Sequence, residues 1–406
     1  MSNVRRHDVR ALLLENIHPN ATALFEAEGF SVETLDRALD EDALIERMSG
    51  VQLLGIRSKT QVSARVLESA PDLLALGAFC IGTNQIDLGS AADTGVAVFN
   101  APYSNTRSVV ELAISEIIAL TRRLTEKNDS MHAGVWDKSA TGAHEVRGRR
   151  LGIVGYGNIG SQLSVLAENL GMSVYFYDTA DKLALGNARR CATLHELLES
   201  VDVVTLHVDG RPGNSGMFGA EEFAHMRDGS LFLNLSRGFV VDYDALRAEM
   251  ESGRVVGAAV DVFPEEPKGR GEEFRFSLRG VPNVILTPHI AGSTEEAQED
   301  IGNFVAGKLR DYVRSGSTSL SVNLPGLDLP SADGIHRLVH LHRNVPGVMA
   351  HINGILADHK VNVDGQLLRT RGELGYAITD IGGEFTGEML AELTAMPETI
   401  RLRLAG

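Results

Sequence analysis

The chain has 406 residues, of which 43% are hydrophobic and 23% charged. That length is long for one domain and the composition is ordinary for a soluble globular protein, so we expect two or three domains. The formal net charge of −16 disfavours nucleic acid and anionic membranes as partners, so an anionic ligand must be held by local arginines or lysines.

The sequence predicts neither a membrane span nor a signal peptide. The N-terminus has no apolar run of signal length, and glutamates interrupt the apolar stretch Val109–Leu120. The two cysteines, Cys80 and Cys191, show no metal-binding or redox spacing. We therefore expect a cytoplasmic protein with buried free thiols and no metal site.

Residues 9 to about 104 alternate short apolar runs with amphipathic stretches, which predicts a parallel sheet covered by helices on both faces. The predicted strands are Val9–Leu14, Val51–Ile56, Leu73–Phe79 and Val96–Phe99. The predicted helices are Ala21–Glu28, Asp42–Met48 and Val62–Ala70. Ligands of such sheets bind beyond the carboxyl ends of the strands, where Arg57-Ser58-Lys59-Thr60 and Ile81-Gly82-Thr83-Asn84 are candidate anion donors.

A long helix is predicted to follow Ser104-Asn105-Thr106 and to run to Leu120, with Ser108 and Glu111 as a capping box. The connection after this helix contains Trp136, the only tryptophan of the chain. Either core packing or an anchor at a subunit interface would explain this side chain.

The stretch Leu151–Asp178 contains strand, G-x-G-x-x-G, helix, second strand and acid in one short unit. Gly155 allows a tight turn, Gly157 lets the backbone approach a pyrophosphate, and Gly160 lets helix pack on strand. Asp178 can accept hydrogen bonds from ribose hydroxyls and would repel a 2′-phosphate, which favours NAD. We predict cofactor contacts from Gly155, Tyr156, Gly157, Asn158, Ile159 and Gly160.

The alternation of strand and helix continues to Leu286, as expected for a complete nucleotide-binding domain. Further strands are predicted at Val201–Val208, Leu231–Leu235, Val255–Val262 and Val284–Leu286. Further helices are predicted at Leu194–Glu199, Glu221–Met226 and Tyr243–Ser252. Ser293 with Glu296 forms another possible capping box, opening a helix to about Val313 that should pack back on the first unit.

Residues 315–334 read as an exposed crossover, after which the rhythm changes to β-α-β-β-α-β, a small ferredoxin-like unit. Its predicted elements are His336–Leu341, Val345–Asp358, Val361–Arg369, Leu374–Ile381, Thr386–Ala395 and Ile400–Leu404. The fold class is therefore α/β, with two doubly wound parallel-sheet domains and a small third domain. We expect a discontinuous domain at 1–104 and 294–328, a nucleotide-binding domain at 105–293, and a C-terminal domain at 333–406.

Three polar side chains follow strand ends of the predicted nucleotide-binding domain. A histidine such as His289 can take the hydroxyl proton of a secondary alcohol during hydride transfer, because it titrates near neutrality. Glu266 would fix the histidine tautomer, and Arg237 would hold a carboxylate in two parallel hydrogen bonds. We predict that these three residues meet at the nicotinamide end of the cofactor.

These motifs together resemble the D-isomer-specific 2-hydroxyacid dehydrogenases. The resembling stretches are Gly155–Gly160 with Asp178, Asn234–Gly238, Asp261–Pro267 and Thr287–Ile290. The resemblance implies NAD in a Rossmann-type domain inserted into a flavodoxin-like substrate domain, Arg237 as the carboxylate binder, and His289 with Glu266 as the acid–base pair. It also implies cofactor contacts from His207, Ser236 and Asp261.

Two further stretches, 76–84 and 100–109, resemble the members of this family that serve serine biosynthesis. They imply D-3-phosphoglycerate as substrate and a homotetramer. The implied substrate contacts are Arg57, Ser58, Asn105 and, across a subunit boundary, Lys138.

The stretch His340–Gly347 resembles the opening of an ACT domain, a small amino-acid-sensing module. It implies inhibition by L-serine, held by His342, Asn344 and Asn362. Amide side chains and the N–H groups of a helix start are suitable donors for an amino-acid carboxylate. The alternative for this module is dimerisation without a ligand.

Ala291 stands where many relatives of this family carry glycine, and Asp333-Gly334 offers one glycine at the entry to the sensing module. Because glycine is a permissive hinge residue, a stiffer hinge and altered serine inhibition are expected, although hinges need not be small residues. Two other functions stay open. One is oxidation of another small D-2-hydroxy acid, with side activity on 2-oxoglutarate, and the other is a non-catalytic NAD-sensing co-repressor.

Overall fold

The computed structural model describes residues 9–267, 271–330, 336–383 and 385–405. The chain folds as two compact units. The inserted unit comprises residues 105–297, and the split unit comprises residues 1–104 and 298–406. The predicted hinge at Asp333-Gly334 lies outside the described residues.

The first part of the split unit contains a parallel sheet of five strands in the order β2-β1-β3-β4-β5, the flavodoxin-like order. The strands are β1 (Arg10–Leu13), β2 (Ser31–Thr34), β3 (Leu53–Ile56), β4 (Ala75–Ala78) and β5 (Ala97–Asn100). The helices are α1 (Pro19–Ala27), α2 (Glu41–Arg47), α3 (Ala64–Glu68) and α4 (Leu88–Asp93). The prediction missed β2 because this edge strand has no buried residue, and α4 because it is short.

The inserted unit begins with α5 (Thr106–Arg122) and α6 (Leu124–His132), which are separated by a left-handed residue, Arg123, at φ 52°. The predicted capping box is wrong. The helix starts earlier, with Asn105 at the N-cap, so Ser108 lies inside it and its hydroxyl meets that of Thr294 at 2.9 Å. Glu111 pairs instead with Arg107 at 2.6 Å.

A seven-stranded parallel sheet forms the centre of the inserted unit, in the order β12-β11-β10-β9-β6-β7-β8. Its strands are β6 (Arg150–Val154), β7 (Ser173–Tyr177), β8 (Arg189–Arg190), β9 (Val203–Leu206), β10 (Ser230–Asn234), β11 (Val255–Val260) and β12 (Val284–Leu286). Its helices are α7 (Asn158–Asn169), α8 (Leu194–Ser200), α9 (Ala220–His225) and α10 (Tyr243–Ser252). Counted from β6, this is the doubly wound dinucleotide-binding order with one strand added at the edge.

The helix α11 (Glu295–Ser315) follows the inserted sheet. The capping box predicted for its start is also wrong, since Thr294 rather than Ser293 accepts the hydrogen bond of Ala297 N at 3.1 Å. In both helices the prediction selected a serine with a glutamate three residues later, whereas the observed N-cap residue is another polar residue nearby.

The C-terminal part of the split unit has the predicted β-α-β-β-α-β order and an antiparallel sheet, β14-β15-β13-β16. Its elements are β13 (His336–Arg343), α12 (Val348–Asp358), β14 (Asn362–Arg371), β15 (Leu374–Gly382), α13 (Gly387–Ala395) and β16 (Thr399–Ala405). Side chains of β13 alternate between two cores. Leu338 packs with α12 and α13, whereas Val339 and Leu341 join the core of β5 and α11.

A buried ion pair ties this antiparallel sheet to the crossover before it. Arg337 meets Asp380 at 2.6 Å, and both side chains are less than a tenth exposed. The same guanidinium donates to the carbonyls of Leu329 at 2.7 Å and Pro330 at 2.9 Å. Because these bonds satisfy the buried charge, the pair fixes the path of the crossover onto the sheet.

Among the described residues, no helix combines the length and apolar character that crossing a bilayer requires.

Candidate active site

The glycine-rich turn after β6 has the geometry that a dinucleotide needs. Gly155 has φ 92°, and a Cβ there would lie 2.6 Å from the His207 carbonyl oxygen. A Cβ on Gly160 would lie 2.3 Å from the Gly155 carbonyl oxygen, so α7 packs on the turn only with glycine. A Cβ on Gly157 would meet nothing within 4 Å, which leaves open space where a pyrophosphate would approach.

The start of α7 and the end of β7 supply the remaining cofactor features. No side chain caps α7, so its first-turn N–H groups, those of Asn158, Ile159 and Gly160, can receive an anion. Asp178 lies half-buried beside the turn and accepts hydrogen bonds from Tyr156 N and Ala180 N, both at 2.8 Å. The carboxylate is thereby fixed where adenosine ribose hydroxyls are expected, so the residues present fit NAD.

A buried network after β10 holds the turn that carries Arg237. Asn234 Oδ1 accepts from Ser236 N at 3.0 Å and from Ser236 Oγ at 2.7 Å. Its Nδ2 donates to the Arg237 carbonyl at 3.0 Å and to Tyr243 Oη at 2.9 Å. Tyr243 in turn donates to the carbonyl of Val262 at 3.0 Å, which joins this turn to the chain after β11. The sequence analysis gave Asn234 and Tyr243 no role.

Close backbone contact brings Arg237 toward the acid–base pair. A Cβ on Gly238 would lie 2.0 Å from the Phe263 carbonyl carbon, so only glycine lets these two strand ends approach. The Arg237 guanidinium acts electrostatically on both Glu266 and His289. The three predicted catalytic residues therefore lie in one electrostatic neighbourhood.

His289 and Glu266 form a direct pair. His289 Nδ1 lies 3.0 Å from Glu266 Oε1 and 2.9 Å from Oε2, and the histidine side chain is 50% exposed. The hydrogen bond to Glu266 raises the pKa of His289 despite the opposing effect of burial. Burial acts to raise the pKa of Glu266, but the hydrogen bond and charge of His289 outweigh it and the pKa is lowered. With Nδ1 bound to the carboxylate, Nε2 is the ring nitrogen that remains to exchange a proton with another group.

Asp261 fixes the segment that carries His289. The carboxylate is fully buried and accepts from Thr287 Oγ1 at 2.6 Å, Ile290 N at 2.9 Å and Ala291 N at 2.9 Å. His289 itself adopts the left-handed conformation, at φ 54°, which few non-glycine residues hold without support. The three hydrogen bonds on Asp261 provide that support, and the predicted cofactor contact of Asp261 stays a prediction.

His207 follows β9, and its Nε2 lies 2.9 Å from Thr205 Oγ1. Its Nδ1 is buried without a hydrogen-bond partner among the described residues. Burial lowers the pKa of His207 to about 4, so the ring is neutral throughout the working range of most enzymes. A neutral ring with one unused nitrogen is compatible with the predicted position beside the nicotinamide.

A cavity of about 550 Å³ adjoins the pair in the inserted unit. Phe263, Phe274 and Leu286 give it an apolar wall, and Glu266 and His289 lie at its edge. His289 and Glu266 therefore border an apolar surface on one side.

Glu116 on α5 is a buried acid that the sequence analysis treated only as an interruption of an apolar run. It is 2% exposed, and neither carboxylate oxygen has a hydrogen-bond partner among the described residues. Burial, with a smaller contribution from the charge of Asp261, raises its pKa to about 8. The group is therefore protonated at neutral pH.

The predicted phosphate loop lies in the split unit and is shaped by Glu15. That carboxylate accepts from the backbone N–H groups of Arg57 at 3.1 Å, Lys59 at 3.0 Å and Thr60 at 2.9 Å. Gln85 Nε2 donates to the carbonyls of Arg57 at 2.7 Å and Gly82 at 3.2 Å, which ties this loop to the one after β4. The loop is thus held from both sides while Ser58 stays exposed.

Two predicted substrate contacts lie in the inserted unit. Asn105 has a buried Oδ1 without a partner among the described residues, and its Nδ2 lies where a Cβ on Gly292 would come within 2.1 Å. Lys138 is exposed in the connection after α6. Trp136 in the same connection is 73% exposed, so core packing within its own chain is wrong and the interface hypothesis remains.

The three predicted serine contacts do not converge within one chain. His342 is fully buried and pairs with Gly375 of β15, and Asn344 Nδ2 donates to the Gly372 carbonyl at 3.1 Å beyond that end of the strand. Asn362 pairs with Gly382 at the opposite end of β15. At about 3.3 Å per residue, the two ends of this strand lie roughly 25 Å apart.

Comparison with known proteins agrees with this geometry. Residues 114–291 match the family of the D-isomer specific 2-hydroxyacid dehydrogenase, NAD binding domain, and residues 338–401 match the AHAS small subunit-like ACT domain. The chain is 47% identical over 397 residues to the D-3-phosphoglycerate dehydrogenase of Haemophilus influenzae, covering 98% of this chain and 97% of that protein. It is 46% identical over 405 residues to the D-3-phosphoglycerate dehydrogenase of Escherichia coli K12, covering 99% and 98%.

Among solved structures, the chain is similar to the D-lactate dehydrogenase from Aquifex aeolicus complexed with NAD and lactic acid. The TM-score is 0.65 at 25% sequence identity, and the match covers 75% of this chain and 95% of that one.

Proposed function

The chain belongs to the D-isomer-specific 2-hydroxyacid dehydrogenase family, and on that premise we propose that it oxidises D-3-phosphoglycerate to 3-phosphohydroxypyruvate with NAD. One observation carries the enzymatic part of the proposal: His289 Nδ1 lies 2.9 Å from a carboxylate oxygen of Glu266, which leaves Nε2 for the substrate. The near full-length similarity to D-3-phosphoglycerate dehydrogenases favours this substrate over other small D-2-hydroxy acids.

In the proposed mechanism His289 is the base. Its Nε2 takes the proton of the C2 hydroxyl as the C2–H bond breaks, and Glu266 stabilises the imidazolium that forms. Arg237 holds the substrate carboxylate in two parallel hydrogen bonds, which selects the face of C2 that reacts. NAD, when bound, supplies the hydride acceptor. The glycine turn, Asp178 and the neutral His207 ring are the residues that would hold it.

The substrate phosphate requires cationic and polar donors outside the acid–base pair. We assign this role to Arg57 and Ser58, whose loop is shaped by Glu15, with Asn105 and Lys138 as further contacts. The unpaired Oδ1 of Asn105 is an acceptor, so it supports contact with a substrate hydroxyl rather than with the phosphate, because a buried acceptor without a partner is costly unless a ligand or water satisfies it.

We further propose that L-serine inhibits the enzyme at the ACT domain, through His342, Asn344 and Asn362. Because Asn344 and Asn362 lie at opposite ends of β15, the effector site we propose is shared between the ACT domains of two chains. Such sharing requires an oligomer, and the exposed Trp136 and the apolar side chains near it supply a surface for subunit contact. We propose a homotetramer in the cytoplasm, with domains at 1–104 with 294–328, 105–293 and 333–406.

The test is NADH formation from D-3-phosphoglycerate by the purified full chain, with and without L-serine, beside a panel of D-2-hydroxy acids that lack phosphate. We expect turnover of D-3-phosphoglycerate to exceed that of each non-phosphorylated acid and to fall with serine. Preference for a non-phosphorylated acid would assign another substrate, and no NADH formation from any acid would refute the enzymatic proposal. Turnover unaffected by serine would refute the regulatory proposal alone.

A further inference from the structure

Two adjacent helices of the inserted unit each present a histidine and a glutamate four residues apart. His195 and Glu199 lie on α8, and Glu221 and His225 lie on α9. Residues at this spacing occupy one face of a helix. The two helices pack against each other, so the two pairs form one cluster.

The cluster is compact. His225 Nδ1 lies 2.9 Å from Glu199 Oε1, and His195 Nε2 lies 4.0 Å from Glu221 Oε1. The imidazole rings of His195 and His225 are stacked, with centroids 3.8 Å apart and planes at 15°. One ligand atom from each of His195, Glu221 and His225 lies within 4.8 Å of the others.

We propose that this cluster binds one divalent transition-metal ion, best fitted by Zn²⁺, with His195, His225 and Glu221 as ligands and Glu199 beside them. Zinc bonds to imidazole nitrogen and carboxylate oxygen are about 2.0–2.2 Å long, so ligand atoms around a tetrahedral ion lie roughly 3.3–3.6 Å apart. The separations in the cluster, up to 4.8 Å, exceed that spacing, so coordination requires these side chains to move closer together. Imidazole with carboxylate suits zinc better than calcium or magnesium.

Two hydrogen-bonded histidine–glutamate pairs without an ion are the simpler account of this cluster, and the absence of zinc binding would support that account. The lone pairs of the imidazole nitrogens lie in the ring planes, and these planes are within 15° of parallel, so at least one ring must rotate before both can bind one ion. Coordination to a shared cation uses both rings in the uncharged form, with a ring nitrogen lone pair directed at the ion.

The ion would be structural. None of the four residues belongs to the acid–base pair, the glycine turn or the Arg237 turn described above. An ion held by His195 from α8 and by Glu221 and His225 from α9 ties the two helices together. Because a cation that binds the folded chain and not the unfolded one shifts the folding equilibrium, zinc is expected to raise the thermal stability of the protein.

The experiment uses the full chain, stripped with a chelator and desalted, and Zn²⁺ alone as the probe. Calorimetric titration and thermal denaturation compare the wild type with the double variant His195→Gln/His225→Gln and with Glu221→Gln. His359→Gln is the matched control, because His359 also pairs with a glutamate, Glu392, at 2.9 Å, but is in no three-ligand group among the described residues.

We expect one tight zinc ion per chain, a Tm that rises with zinc, and in the double variant at least about a tenfold loss of affinity without that rise. Glu221→Gln should show an intermediate loss, and His359→Gln should behave as wild type. Circular dichroism of the metal-free variants checks that they are folded. Absence of tight binding in the wild type, equal binding in the double variant, or an equal loss in His359→Gln would overturn the proposal.

Discussion

The two imidazole nitrogens of His289 have different roles in the proposed proton transfer. Nδ1 is committed to the carboxylate, so the basicity that Glu266 adds is expressed at Nε2. The φ of 54° at His289 shows that the backbone is held in an uncommon conformation to present this ring. Glu266 and the hydrogen bonds on Asp261 therefore set the position of the His289 ring.

Replacing His289 with alanine removes the base while leaving the glycine turn and Asp178 unchanged. We expect turnover of D-3-phosphoglycerate to fall by on the order of two to four powers of ten, with the Kd for NAD changed little. Steady-state kinetics measures turnover, and displacement of fluorescent NADH by NAD measures the Kd for NAD. Near-normal turnover would remove His289 from the role of base.

The pH profile tests the role of Glu266. Oxidation needs neutral His289, so activity should fall as pH drops through the pKa of this residue, which its hydrogen bond to Glu266 holds above the usual 6.5. Replacing Glu266 with glutamine removes the charge, so the acidic limb of kcat/KM should move to lower pH and the maximum should fall. A limb that stays in place would show that another group controls it.

Glu116 should make the protein less stable as pH rises. An acid in an ion pair, whose pKa is lowered, has the opposite effect. Burial raises its folded-state pKa from 4.5 to about 8, so the folded chain binds the proton more tightly than the unfolded chain. The free energy of unfolding therefore decreases as pH rises from 4.5 to about 8 and loses no more from this group above that range.

Glu116→Gln removes this ionisation while keeping the shape of the side chain. The free energy of unfolding of the variant, minus that of wild type, should increase by on the order of 2 kcal/mol between pH 5 and pH 8. The full pKa shift of Glu116 would set an upper limit of roughly 4–5 kcal/mol. Urea unfolding at the two pH values measures the difference. A difference between variant and wild type that does not change with pH would show that Glu116 is not the titrating group.

At the scale of elements, α7 packs on the glycine turn only because Gly160 has no Cβ. A Cβ on Gly160 would lie 2.3 Å from a backbone oxygen that cannot rotate away. Gly160→Ala should therefore destabilise the inserted unit by about 1–3 kcal/mol and weaken the binding of NAD.

Gly157→Ala is the matched control for this prediction. Its Cβ would enter open space, and its φ of −84° suits alanine. The control should weaken the binding of NAD with little loss of stability. Denaturant unfolding measures the stability, and displacement of fluorescent NADH by NAD measures the binding. Equal destabilisation by the two substitutions would contradict the packing argument.

Hydrophobic periodicity predicted most elements of the fold, because long buried strands and amphipathic helices leave a pattern in the sequence. Tyr243–Ser252 and Val284–Leu286 were predicted to the residue. Exposed edge strands such as Arg189–Arg190 were missed, because they bury no side chain and so show no pattern. Helix caps were misassigned because several polar residues near a helix start satisfy the same pattern.

The contact between His289 and Glu266 could be predicted because each residue follows a strand end in a known motif, and their catalytic role stays a prediction. The supporting residues could not be predicted in the same way. Asn234 and Tyr243 meet only after folding, and no spacing links Glu116 to Asp261. The cluster of His195 and His225 likewise joins two short helices whose adjacency is a property of the fold. Contacts of this kind can be identified only from the folded structure.

At the scale of the whole molecule, the serine proposal makes a prediction about mixed oligomers. Asn344→Ala or Asn362→Ala alone should abolish serine inhibition while leaving turnover intact. If each site takes Asn344 from one chain and Asn362 from another, a mixed pair of the two variants regains one complete site. Co-expression with two affinity tags isolates the mixture.

Partial return of serine inhibition in the mixed oligomer is the expected result. Each variant alone, carried through the same tandem purification, is the control for contamination by wild type. A mixture as insensitive to serine as its parents would place both asparagines in a site within one chain or in none.

The C-terminal sheet shares a hydrophobic core with the rest of the split unit, and this affects what happens when the sheet is removed. Val339, Leu341 and Tyr376 of the C-terminal sheet are buried together with Phe99 and Val305 rather than in a separate core. A chain cut before the sheet would expose part of this core to water, because the apolar side chains that the sheet contributes to it would be missing. The C-terminal sheet is therefore part of the hydrophobic core of the split unit, and a chain shortened before it should aggregate, which the soluble fraction after expression would measure.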